Sequence, residues 1–198
     1  MAICPEPGLT GMIDITPSRC ATKRIGGVNK RMFVGSLSDL AGFTLDPTTK
    51  EITGITMKST KRLFAITGKK LKNSHSTDLA VSENATLYNQ SVTFLPYFDT
   101  QEEKEAIEVL VQAEDLFIVV ENNYGRFEAF GLVGVEGLQA QGLAASAATY
   151  AVEAAMDGAS NMTITFSGSE AKLPVYTKLG EDLPAELAVL EGLLVPAA

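Results

Sequence analysis

Histidine and cysteine are nearly missing from this chain and tryptophan is missing altogether: one His, two Cys and no Trp in 198 residues. Each shortage removes a class of chemistry. With His75 as the sole imidazole, a Ser–His–Asp or Cys–His site has to be built on that residue. It lies among Asn73, Ser74, Ser76 and Thr77, a polar run that reads as a solvated loop. A structural zinc centre would want more ligands than the chain supplies, and no Asp-x-Asp-x-Asp-Gly calcium loop is present. No metal and no cofactor is therefore expected. Cys4 and Cys20 share an N-terminal segment and can pair, although a cytoplasmic protein keeps such a pair reduced. No apolar run is long enough to cross a bilayer, so no membrane partner is expected. The start, Met1-Ala2-Ile3-Cys4-Pro5, lacks the basic and apolar parts of a signal peptide, which predicts synthesis in a cytoplasm.

What the chain does have is apolar mass and a lopsided charge. Apolar residues make up 45% and mean hydropathy is +0.12, enough for a sizeable core. The net charge of −8 hides two opposite halves. Residues 1–80 carry 12 Lys/Arg against 6 Asp/Glu, a net of +6, and residues 81–198 carry 4 against 18, a net of −14. A dipolar chain of this kind can set its basic part against the acidic part of a second copy. The overall sign disfavours nucleic-acid binding, which needs a dense basic face.

The most legible stretch runs from Leu95 to Leu132. Thr100 followed by Glu103 is a capping box, and Glu102, Glu103 and Glu105 suit the positive end of a helix dipole. Ala106, Ile107, Leu110 and Ala113 then fall on one helical face. Leu116-Phe117-Ile118-Val119-Val120 reads as a strand covered on both faces, Asn122 to Gly125 as a turn, and Arg126 to Leu132 as the return strand. Phe94, Tyr97, Phe98, Phe117, Phe127 and Phe130 read as core.

Upstream, the Pro/Gly-rich residues 1–28 read as an extended arm. Strands are predicted at Lys30–Gly35, Glu51–Met57 and Lys61–Thr67, the last two joined as a hairpin through Lys58-Ser59-Thr60. Residues 68–82 read as a loop or the tip of a long hairpin, and Ala85–Leu95 as a long strand. Downstream, Ala147–Met156 fits a strand or a helix equally. Met162–Ser167 is a strand, Leu173–Tyr176 closes the sheet region, and Leu187, Leu190 and Leu194 mark a tail helix that docks on its own domain or on a neighbour.

Other candidate chemistry is weak. The carboxylate pairs Glu102/Glu103, Glu105/Glu108 and Glu114/Asp115 lie on or beside one exposed helix face. Gly131, Gly134 and Gly137 do not have dinucleotide-loop spacing and read as strand glycines.

The run from Val92-Thr-Phe-Leu-Pro-Tyr-Phe-Asp-Thr-Gln-Glu-Glu through the helix to Leu116-Phe-Ile-Val-Val-Glu and Arg126-Phe-Glu-Ala-Phe-Gly-Leu resembles structural proteins of tailed bacteriophages. So do Gly26–Val34, Glu51–Met57, Lys61–Ile66, Met162–Glu170 and Leu173–Tyr176, which are similar to virion proteins of phages infecting Bacteroidetes. The likeness spans residues 25–177 and points to the tail tube (major tail) protein family. It implies a mainly β, α+β fold: a β-sandwich or partial barrel with one packed helix over residues 29–177, an arm at 1–28 and a tail at 178–198. It further implies hexameric rings stacked as a tube, located in the virion and assembled in the host cytoplasm. The partners would be other copies and other tail or neck proteins, with DNA only as transient cargo. No catalytic residue is implied. The candidate inter-subunit contacts are Arg19, Lys23, Arg24, Lys69, Lys70 and Lys72 against Glu128 and Glu136 of another copy, and an acidic channel lining would let DNA slide. A head–tail connector, neck or other ring-forming virion protein is the alternative within assembly. A monomeric ligand-binding β-domain and a hydrolase built on His75 are the alternatives outside it.

Overall fold

A computed structural model describes residues 28–195 except 70–71, 82–85, 97, 99, 124, 135–138 and 153–159. Eleven strands and two α-helices are described, with a short 3-10 turn at Leu37–Asp39, so the fold is mainly β in the α+β sense. Of the arm predicted at residues 1–28, residues 1–27 lie outside the described residues, and Val28 is the buried first residue of a strand.

The elements build from their side-chain periods. β1 (Val28–Ser36) and β7 (Leu116–Asn122) are apolar on both faces, which suits interior strands. They pair antiparallel, flanked by β4 (Phe64–Thr67), β8 (Phe127–Phe130) and β11 (Val175–Tyr176), in a central sheet of order β11-β8-β7-β1-β4. One face of this sheet (Met32, Val34, Ile118, Val120, Phe130) packs on a second sheet, β5-β6-β10-β9, through Val92, Phe94, Ile164 and Phe166. That outer sheet contains β5 (Ser74–Val81), β6 (Thr86–Phe94), β9 (Ala144–Val152) and β10 (Ser160–Glu170). The opposite face (Phe33, Phe117, Val119, Phe127, Ala129) is covered by a ribbon of β2 (Leu40–Leu45) and β3 (Ile52–Met57) and by the helix α2 (Leu183–Gly192).

The predicted capping box is present. The Thr100 hydroxyl accepts from the Glu103 amide, and the Glu103 carboxylate accepts from the Thr100 amide, opening α1 (Gln101–Gln112). Ile107 buries α1 on the core between the two large sheets. The predicted tail helix docks on its own domain, with Leu190 fully buried. Two helices pack on the sheets, one more than the resemblance implies. Of the predicted core aromatics, Phe94, Phe117, Phe127 and Phe130 are sealed.

Two local expectations are corrected and one open reading is settled. β3 and β4 do not form a hairpin: β3 pairs with β2 and β4 with β1, and Thr60 between them is a non-glycine residue at positive φ. The polar stretch at 74–81 is no loop but β5, one arm of a long hairpin registered on β6 from Ser74↔Thr93 to Val81↔Thr86. The ambiguous alanine-rich segment is a strand, β9, paired along β10.

Candidate functional site: open sheet edges and buried polar anchors

Strand direction alternates across the outer sheet, since β5–β6, β6–β10 and β10–β9 all pair antiparallel. β5 and β9 are its two outer strands, of eight and nine residues. β9 reads Ala-Ala-Ser-Ala-Ala-Thr-Tyr-Ala-Val, with no charge and no proline. Natural edge strands are usually short, charged or covered, because their unpaired backbone groups recruit other chains. Exposed apolar side chains sit on both edges: Leu79 (60% exposed) and Val81 (71%) on β5, and Tyr150 (52%) on β9. Beside Tyr150, Phe98 lies 5.7 Å away, and the Lys104 ammonium lies 5.6 Å from the Tyr150 ring and 5.7 Å from the Phe98 ring. The central sheet ends differently. β4 has four residues and β11 two, and the Leu63 amide, just before β4, donates to the Leu193 carbonyl beyond α2.

Inside, buried polar groups fasten the layers. Asn122, on β7, donates from Nδ2 to Glu128 Oε2 of β8 at 3.0 Å, and its Oδ1 lies 2.9 Å from His75 Nε2 of β5. His75 Nε2 is 3.7 Å from Glu128 Oε2 and its ring is 5.1 Å from that of Phe130. His75 is therefore no solvated loop residue. It is half-buried between the two sheets because β5 alternates and places it on the inner face beside Val92. These contacts clamp β5 to β7 and β8. Gln90 links the outer sheet to the end of β8, accepting from the Gly131 amide and donating to the Lys172 carbonyl. Asn73 accepts from the Leu95 amide and donates to the Asn29 carbonyl.

Two buried carboxyls hold the C-terminal half. Glu170 accepts from the Gln141 and Gly142 amides, at 3.0 and 2.7 Å from Oε1. This fixes the segment that crosses the inner face of β10. A Cβ at Gly168 would lie 2.3 Å from the Gly142 carbonyl oxygen, so the crossing requires glycine there. Burial pushes the Glu170 carboxyl above its ordinary value, against the opposing pull of those two amides. Glu186 of α2 accepts from the Thr177 hydroxyl and the Leu179 amide, and burial raises it too. Arg126 pairs with Glu51 and lies 4.1 Å from the centre of the Tyr176 ring.

Of the predicted contact residues, Lys69, Lys72 and Glu128 are described. Arg19, Lys23, Arg24, Lys70 and Glu136 lie outside the described residues. Lys69 is half-buried and Lys72 exposed, both just before β5. Glu128 is only 12% exposed and engages Asn122 and His75 of its own chain. Sequence reasoning does not single out these edges, although the uncharged run at 144–152 is a signal for one of them. A groove of about 370 Å³ lies between Thr49–Glu51 and Ala171–Tyr176, with Tyr88 in its lining. Its size suits a small ligand, but it opens widely to solvent and its Glu51 carboxylate is already taken by Arg126. Among the described residues no group of three His, Cys, Asp or Glu could hold a metal ion, and no helix is long and apolar enough to cross a membrane.

Comparison with protein-family models, curated proteins and solved structures finds no match.

Proposed function

We propose that this chain is a virion structural protein that closes into rings and stacks as a phage tail tube, a conduit for DNA and not an enzyme. The carrying observation is the pair of long edge strands, β5 and β9, whose outer sides have no strand partner among the described residues. A β9 strand runs opposite to β5, so β9 of one copy meets β5 of the next in the antiparallel sense already used throughout the outer sheet. Such head-to-tail pairing uses different surfaces on the two sides of the subunit and so generates rings or filaments, whereas a two-fold contact would stop at a dimer. The resemblance of the sequence to tail tube proteins supports the same reading.

Two substitutions on opposite edges test it. Leu79→Lys and Ala148→Lys each place a charge on one edge strand at an exposed position. Each variant alone should be monomeric by sedimentation while the unmodified protein forms rings in negative stain. Mixed together, the two variants should form heterodimers and go no further, since each supplies one intact edge. Unmodified protein that stays monomeric across salt and concentration sinks the proposal. Closed single rings that never stack point to a head–tail connector.

A further inference from the structure

The groove of about 370 Å³ opens where the turn between β2 and β3 faces the segment that leads from β10 into β11. One wall is Thr49 to Glu51 and the other is Ala171 to Tyr176. The walls converge at Ile52 and Thr177, which bridge, and the Lys178 amide donates to the Ile52 carbonyl at 2.7 Å. Both walls are held from behind. The Lys50 amide donates to the Asp46 carbonyl at 3.0 Å, the Asp46 amide donates to the Glu51 carbonyl at 2.9 Å, and the Lys172 carbonyl accepts from Gln90 at 2.7 Å. Charge is unusual here. Residues 81–198 hold four Lys or Arg: Lys104, Arg126, Lys172 and Lys178. Three of them gather at this groove: Lys172 lines it, Lys178 follows the bridge, and Arg126 pairs with Glu51 beside the Tyr176 ring. Lys50 joins them from the opposite wall. The neighbouring carboxylates are engaged: Glu51 by Arg126, Asp46 by the Thr48 and Thr49 amides, and Glu170 by the Gln141 and Gly142 amides. Among the described residues neither Lys50 nor Lys172 is in an ion pair. Lys50 also holds a left-handed backbone, φ 60°, where a glycine would be easier, and strain of this kind gathers at ligand clamps.

We propose that this groove binds an extended acidic peptide segment of a partner protein, with carboxylates on Lys50 and Lys172 and an apolar side chain against Leu173, Pro174 and Val175. The site goes beyond the assembly reading, and no lining residue belongs to either edge strand, β5 or β9. Its walls match such a segment in two respects. Uncommitted ammonium groups on both walls complement carboxylates on either side of a bound chain. Leu173, 52% exposed, with Pro174 and Val175 gives one wall an apolar stretch that an aliphatic side chain would cover. The wide opening to solvent suits a chain laid in from outside, whereas a small molecule is held best where most of its surface is enclosed. Nucleic acid would need a dense basic face, and a few ammonium groups on a protein of net charge −8 do not make one.

The test uses the full chain and a fluorescein-labelled peptide, Gly-Glu-Glu-Leu-Glu-Glu-Gly, followed by fluorescence polarisation at low salt. Binding should saturate, and the same peptide with Gln for every Glu should bind about tenfold more weakly. Lys50→Gly and Lys172→Gln should each weaken the acidic peptide by about fivefold or more, whereas Lys104→Gln, a lysine outside the groove, should not. Glycine relieves the left-handed backbone at residue 50, so Lys50→Gly should melt no lower than the unmodified protein, and its loss of binding is then a loss of charge and not of fold. Polarisation that never saturates, equal affinity for the Gln peptide, or an equal loss in Lys104→Gln overturns the proposal. So does fluorescent duplex DNA that binds more tightly than the peptide and is released by the same two groove substitutions, which would give the groove to a polyanion.

Discussion

Phe117 and Thr165 both sit inside long strands of the two large sheets, yet Phe117 has no exposed surface and Thr165 faces away from the core. The central sheet is buried on both sides, and its ends are short strands or covered by the segment after α2. The outer sheet is buried on one side and has long strands at both edges. Stability is therefore concentrated in one sheet, while the surfaces free for other molecules are concentrated in the other. That separation lets surface positions of the outer sheet change without disturbing the core.

The sharpest way to break the contrast is to exchange substitutions between the sheets. Phe117→Ala removes a sealed ring from the layer shared with Phe33, Phe127 and Ile52, and should cost about 3–5 kcal/mol of unfolding free energy. Thr165→Val gives up one hydroxyl contact on the bare face and should stay within about 0.5 kcal/mol. Denaturant titrations of both variants measure the difference. Comparable losses would mean that the outer face is buried against something in solution.

The outer sheet has one rigid spot on its inner side, where the segment at 141–143 crosses β10. Gly168→Ala should cost about 1–3 kcal/mol, because its new methyl meets backbone and not a movable side-chain tip. Gly42, with nothing within 4 Å of a built Cβ, is the control, and Gly42→Ala should be close to neutral by the same titration. A neutral Gly168→Ala would show that the crossing segment moves aside.

How much of this was legible in the sequence follows the range of the interactions. Leu116–Val120 announces a doubly covered strand by lack of alternation, and Thr100/Glu103 announces a helix start within four residues. β5 is hidden because Ser-His-Ser-Thr-Asp alternates between exposed polar and inward polar residues, so hydropathy carries no period. β2 (Leu-Ala-Gly-Phe-Thr-Leu) is hidden because Ala and Gly have low strand preference and pairing with β3 overrides it. The hairpin expected between β3 and β4 fails because β3 pairs back on its predecessor β2, while β4 pairs with the more distant β1. The clamp of His75, Asn122 and Glu128 joins three strands and appears only once register is known. The edges depend on which strand ends up outermost, which is a property of topology.

The smallest predicted effect concerns protons, and it separates the buried carboxyls from the exposed turns. Burial raises Glu170 and Glu186, so each holds its proton to higher pH in the folded chain than in the unfolded one. Between the ordinary value of 4.5 and the raised value, the folded state binds more protons. Stability therefore increases as pH falls from neutral through that window, and the gain is complete below 4.5. Asp46 runs the other way: the Thr49 and Thr48 amides lower its carboxyl, so the stability it lends is present above 3.8 and is lost as pH falls through its lower folded value. The two windows do not overlap. Glu170→Gln keeps an oxygen to accept from Gln141 or Gly142 but carries no charge, so thermal melts between pH 7 and 4.5 should show a shallower rise than in the unmodified protein. An unchanged slope would mean that the crossing segment at 141–143 admits water and that Glu170 ionises as freely as a surface carboxylate.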